Sequence, residues 1–138
     1  MKLATAKDIR MGKIMTCCLV AMITIALTAG CGSKGVVGKA EGMVDSMSKG
    51  DYAAVTSSFD ATMTSAMSTA RLGQVWSALT AQVGAFKTRT GSRTEKSQGY
   101  EIVYVTCQFE KANLDVKLVF NSSGQVSGMW FVPAQSAK

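Results

Sequence analysis

Catalysis needs a nucleophile, a proton shuttle or a metal ligand, and this chain of 138 residues offers few of them. Histidine is absent, which removes Ser-His-Asp and Cys-His catalysis together with the usual zinc sites. The carboxylates able to serve as a general acid or base are Asp60, Glu101 and Glu110, and no two stand at a spacing that pairs carboxyl groups. Asp60, directly after the apolar Phe59, is the best placed of the three, although the same position suits a helix-end cap. The chain has no G-x-S-x-G elbow. Among the four cysteines, Cys31 is the one set up for reaction on sulfur. It follows the small residues Ala29 and Gly30, which leave room for an enzyme to reach the Gly30–Cys31 bond.

An apolar leader positions Cys31. Residues 1–13 carry Lys2, Lys7, Arg10 and Lys13 against Asp8, and Ile14 to Leu27 form an apolar run, the layout of an export signal. That run is shorter than the roughly twenty residues that span a bilayer. Met11 serves equally well as a start, because Lys13 and the whole apolar run follow it. The stretch Leu27-Thr28-Ala29-Gly30-Cys31 resembles the lipobox of bacterial lipoproteins, in which the cysteine is acylated and becomes the new N-terminus. The family usually has an aliphatic residue three before the cysteine, where this chain has Thr28. The resemblance implies a signal peptide over 1–30 and lipidation of Cys31 with diacylglycerol and palmitate. The domain would then be extracytoplasmic and held to the bacterial cell membrane. An ordinary secretory signal is the other reading of the same leader.

Charge and cysteine usage narrow the remainder. The formal net charge is +6, and the leader accounts for half of it. The basic residues that stay behind are scattered, which is no nucleic-acid signature. Cys17 and Cys18 leave with the leader and Cys31 is consumed by lipid, so Cys107 remains as a lone thiol. An exported domain without a disulfide must be held by packing, and Cys107 sits in an alternating apolar run that suits a buried structural role. Asn121-Ser122-Ser123 fits a glycosylation sequon that is idle on a bacterial lipoprotein.

Residues 31–38, with Gly32, Gly35 and Gly38, read as a flexible tether of about 15 Å reach. Lys34 and Lys39 read first as part of a solvated linker; contact with anionic headgroups, worth about 1 kcal/mol each at the surface, is the other reading. From Val36 to Gly50 the positions Val36, Ala40, Met43, Val44 and Met47 predict a first helix. Asp51 caps a second, Tyr52 to Phe59. Asp60 to Ser68 reads as loop or a further helical turn. Ser68 opens the clearest helix, with Leu72, Val75, Trp76, Leu79 and Val83 on one narrow stripe and Gly84 as its end.

After Phe86 the period changes from 3.6 to 2. Phe86 to Lys96 predicts a polar edge strand with a bend at Gly91. In Tyr100 to Glu110, Val103, Val105, Cys107 and Phe109 take one face and Ile102, Tyr104 and Thr106 the other. Leu114, Val116, Leu118 and Phe120 alternate with Asp115 and Lys117 in a third strand. Val126 to Val132 is apolar on both faces, Trp130 and Val132 opposite Met129 and Phe131, and residues 134–138 read as a frayed tail. Helices followed by antiparallel strands argue an α+β fold, with N-terminal helices on one face of a roughly four-stranded sheet.

The run Phe59-Asp60-Ala61-Thr62-Met63, then Leu72, Val75-Trp76, Leu79 and Gly84-Ala85-Phe86, resembles a bacterial extracytoplasmic domain of unknown function. The strand Val103-Tyr104-Val105-Thr106 and the closing Gly124, Gly128-Met129-Trp130-Phe131-Val132-Pro133 extend the likeness, which covers about residues 36–133. That domain occurs alone in lipoproteins and ahead of secreted α/β-hydrolases. The resemblance implies an NTF2-like or cystatin-like domain over 39–133. In NTF2-like folds a helix across a curved sheet leaves a conical pocket, and Trp76, Phe86, Tyr104 and Trp130 are the large side chains able to line it as ligand-binding residues. Plain core packing is the competing role for each.

The expectation is a membrane-anchored, non-enzymatic module binding a small apolar or envelope-derived ligand or a protein partner. No catalytic residue, metal or cofactor is assigned. A homodimer through the doubly apolar sheet face is a further expectation, and a small NTF2-like pocket enzyme using an acidic residue is the alternative.

Overall fold

The computed structural model describes residues 33–135. The signal peptide expected over 1–30 and the lipidation site Cys31 lie outside the described residues, as do 136–138. No helix among the described residues is long and apolar enough to cross a membrane.

Four helices precede four strands. Helix α1 spans Ser33–Ser48, so the stretch expected as a tether is helical from Ser33 onward. Its stripe Ala40, Met43, Val44 and Met47 is buried, and that burial outweighs the roughly 1 kcal/mol that each glycine costs a helix. Helix α2, Tyr52–Thr56, starts at an Asp51 cap that accepts from the Ala54 amide at 3.1 Å. Helix α3, Ala61–Ala66, fills the segment left open between loop and helix. Helix α4, Thr69–Val83, is capped by Ser68, whose Oγ accepts from the Arg71 amide at 3.3 Å.

Gly84 ends α4 with φ +85° and ψ −177°, a region that only glycine adopts readily. The turn is locked from outside: the Ala85 amide donates to Glu110 Oε2 at 3.1 Å, and Lys87 pairs with Glu110 at 3.2 Å. These contacts hold the Glu110 carboxyl below its ordinary range, and the Ser127 hydroxyl and the Met63 amide, both donating to Asp60, hold that carboxyl low as well.

Strands β1 (Phe86–Ser97), β2 (Tyr100–Phe109), β3 (Asn113–Phe120) and β4 (Val126–Pro133) form an antiparallel sheet in sequential order. Beyond β4, Phe59 makes a single parallel bridge to Val126. The tail is tied at its start, where the Ala134 amide donates to the Asn113 carbonyl at 3.2 Å.

The sheet has three register shifts, at Phe86/Thr88 and Arg89/Gly91 in β1 and at Val119/Phe120 against β4, and the last two decide which side chains reach the face away from the helices. In β1 the register slips between Arg89, paired with Cys107, and Gly91, paired with Thr106. Without the extra residue, Arg89 and Arg93 would share a face. With it, Arg89 meets α1, bonding Asp45 at 2.9 and 3.1 Å and Glu41 at 2.9 Å, while Arg93 stands on the opposite face. In β4 the slip at Val119/Phe120 sends Val126 into the core and Gly128 to the far side.

The core lies between the helices and one sheet face. Val103, Val105, Cys107, Val116, Leu118, Phe120 and Val126 are fully buried. Under α4, Trp76 meets Phe86, Phe109 and Phe131 with ring centroids 6.2, 5.8 and 6.0 Å apart. Burial pushes the Cys107 thiol up to about 12. The architecture is α+β, an open four-stranded sheet with helices packed against it, and is consistent with an NTF2-like fold.

Candidate functional site

The helices leave the second face of the sheet open, and strand register builds a site on it. Arg93 pairs with Tyr104, Tyr104 with Lys117, and, past the slip in β4, Lys117 with Trp130. Four strands thus contribute one residue each to a straight row of alternating cation and ring. The Arg93 guanidinium carbon lies 3.6 Å from the Tyr104 centroid. Lys117 Nζ lies 5.7 Å from the Tyr104 centroid and 5.4 Å from that of Trp130. Each contact is within cation–π range, worth about 0.5–1 kcal/mol at an exposed site.

Gly128 shapes one end of the row. A Cβ built there would meet Trp130 Cζ3 at 2.5 Å, so the absence of a side chain lets the indole lie over the strand, with ring covering glycine. Trp130 remains 52% exposed.

On one side of this row runs Gly91, Thr106, Asp115 and Val132; on the other run Glu95, Ile102, Val119 and Gly128. Asp115 is fully buried although its strand position reads as outward. It accepts from Thr106 Oγ1 at 2.7 Å and from Arg93 Nη2 at 3.2 Å. Arg93 Nη1 also donates to Glu95 Oε1 at 3.0 Å, and the Tyr104 hydroxyl donates to Glu95 Oε2 at 3.3 Å. The charge of Arg93 is therefore met twice. Lys117 has no carboxylate within ion-pair distance among the described residues.

The structure divides the four residues expected to line one pocket. Tyr104 and Trp130 belong to the open face. Trp76 and Phe86 lie on the helix side, in the aromatic cluster with Phe109 and Phe131. A single pocket holding all four does not form, because the sheet runs between the pairs. Sequence reasoning did not single out Arg93, Lys117 or Asp115. The signal for Lys117 was available in the short β2–β3 reversal, which sets it opposite Tyr104, while its pairing with Trp130 depends on the slip in β4. That for Arg93 was hidden by the bulge.

The three carboxylates are spread over separate elements. Asp60 caps α3, accepting from the Met63 amide at 2.8 Å, and accepts from Ser127 Oγ at 2.6 Å. Glu110 is engaged at the end of α4 as described. Glu101, at the start of β2, has a buried Oε1 with no hydrogen-bond partner among the described residues.

Two hollows lie elsewhere. One, of about 420 Å³, sits between α1 and β1 over the Arg89, Glu41 and Asp45 cluster. The other, about 900 Å³, is a groove along Ala70, Gly73, Ser77 and Ala81 of α4 beside Tyr52. The first holds Phe86 of the expected ligand-binding residues at its rim.

A family model described as a protein of unknown function, DUF3887, matches residues 40–129, from within α1 to within β4. No curated protein matches. No solved structure matches either.

Proposed function

This chain belongs to the family of unknown function DUF3887, and we propose that it is a membrane-anchored extracytoplasmic lipoprotein, a non-enzymatic module that binds its ligand or partner on the open sheet face. The observation that carries this reading is the row Arg93, Tyr104, Lys117 and Trp130, which gathers exposed ring surface and a cation unmatched among the described residues on one side of the sheet. Solvent-facing aromatic surface next to a charge is a binding composition. Asp60, the best-placed acid, has its carboxylate oxygens committed to Met63 and Ser127, which favours binding over acid–base catalysis. The leader and the lipobox resemblance at Cys31 support the anchor.

Two experiments test the halves separately. Cys31→Ser should abolish lipid incorporation and move the protein out of the membrane fraction; unchanged mass and fractionation would refute anchoring. A photocrosslinking amino acid at Val132 should give a defined adduct in cells, and one at Gln74 on α4 should not. Equal capture at both positions, or none at Val132, would refute the face as the binding surface.

A further inference from the structure

We propose that the open face takes an acidic sugar chain, with a ring-borne carboxylate on Lys117 and the apolar face of a sugar on Trp130; this rests on the reading of that face as the binding surface.

The charge pattern selects the anion. Arg93 is already matched by Asp115 and Glu95, whereas Lys117 stands between two rings with no carboxylate partner among the described residues. The face therefore offers one unmatched positive charge beside two fixed carboxylates. A ligand bearing an isolated carboxylate satisfies it. A polyphosphate or nucleic acid brings closely spaced charges that Glu95 and Asp115 would repel, and such ligands call for a basic patch.

The shape selects the sugar. Trp130 lies over Gly128 with half its surface free, a platform for a second flat, C–H-rich ring. Lys117 is its cross-strand neighbour, about 5 Å away by strand spacing. That separation matches a carboxylate and a ring face on adjacent parts of one oligosaccharide. Across the four strands the row runs about 14 Å, which suits an extended chain. Small apolar molecules favour concave sites that enclose them. The Tyr104 hydroxyl and the exposed Glu95 carboxylate supply polar partners for sugar hydroxyls along the same row.

The test uses the full chain and calorimetric titration with three probes. These are a tetrasaccharide of alternating glucuronate and N-acetylglucosamine, its carboxyl methyl ester, and the neutral tetrasaccharide of N-acetylglucosamine. The acidic probe should bind, and the ester and neutral probes should bind about tenfold or more weakly. Lys117→Gln and Trp130→Ala should each weaken the acidic probe about tenfold. Trp76→Phe, a change on the helix side, should not alter affinity. Thermal melts of each variant establish that it is folded, and Lys117→Arg should retain binding if charge is what counts.

Equal binding of acidic and neutral probes, or no binding of either, overturns the assignment. So does tighter association with anionic phospholipid vesicles than with the acidic probe, or a second copy of the chain occupying the face. If the sugar fails while the Val132 crosslinker still captures a partner, the ligand class is wrong and the binding face stands. If both fail, the reading of the face fails with it.

Discussion

The two tryptophans should respond to truncation in opposite ways, because the sheet separates them. Trp76 is 6% exposed and touches three rings at centroid distances of about 6 Å. Trp76→Ala empties the space between α4 and the sheet, and the neighbouring rings are anchored on three different strands that cannot all collapse inward. Losses for buried Trp→Ala are about 3–5 kcal/mol. For roughly 100 ordered residues the unfolding entropy is about 0.2 kcal/mol/K, so the midpoint should fall by about 15–25 °C. Trp130 is 52% exposed and rests on a glycine, so Trp130→Ala gives up about half of a ring's burial and one weak cation–π contact. Its cost should be about 1 kcal/mol or less, within about 5 °C. Thermal melts followed by far-ultraviolet circular dichroism measure both. Comparable falls in the two variants, or a small one for Trp76→Ala, would refute the division of the rings between core and face.

Other expectations are more local. Gly84→Ala should cost about 2–4 kcal/mol in denaturant titration, since its backbone region is reserved for glycine and a Cβ would sit 2.6 Å from that of Glu110. Cys107, fully buried with its thiol raised to about 12, should resist thiol reagents at neutral pH until the domain unfolds, measured by labelling in a chain carrying Ser at 17, 18 and 31. The carboxyls of Asp60 and Glu110 are held below their ordinary range when folded. Their contribution is thus present above the unfolded values, near pH 4, and lost as pH falls through the lower folded ones. Asp60→Asn and Glu110→Gln should flatten that acidic limb in stability measured against pH, leaving the slope above pH 6 unchanged.

Much of the architecture was written in simple periodicities. The stripe Leu72, Val75, Trp76, Leu79 and Val83 marked α4 to within a residue of its ends, and alternation in β2 assigned Tyr104 and Val103 to opposite faces as observed. The same alternation already separated Trp130 from Met129. Grouping Trp76, Phe86, Tyr104 and Trp130 by size ignored that division and produced a pocket the sheet forbids. The start of α1 was obscured because Gly35 and Gly38 resemble linker, while the burial that makes them helical is tertiary. Two features were beyond local pattern. The bend expected at Gly91 falls where β1 takes its extra residue, yet nothing in Thr90 or Gly91 states that this turns Arg93 to the other face. Asp115 reads as solvated, yet Arg93 and Thr106, which satisfy it, come from other strands.

The placement of one indole on each side of a single sheet has an optical consequence. Trp76 emits from a dry aromatic cluster and Trp130 from water, so the intrinsic fluorescence of this protein is a sum of a blue and a red component with separate origins. A quencher in solution should reach the red component first. Unfolding changes the blue component, whereas occupancy of the open face changes the red one, and with only two tryptophans in the chain the two events can be followed at once without a label.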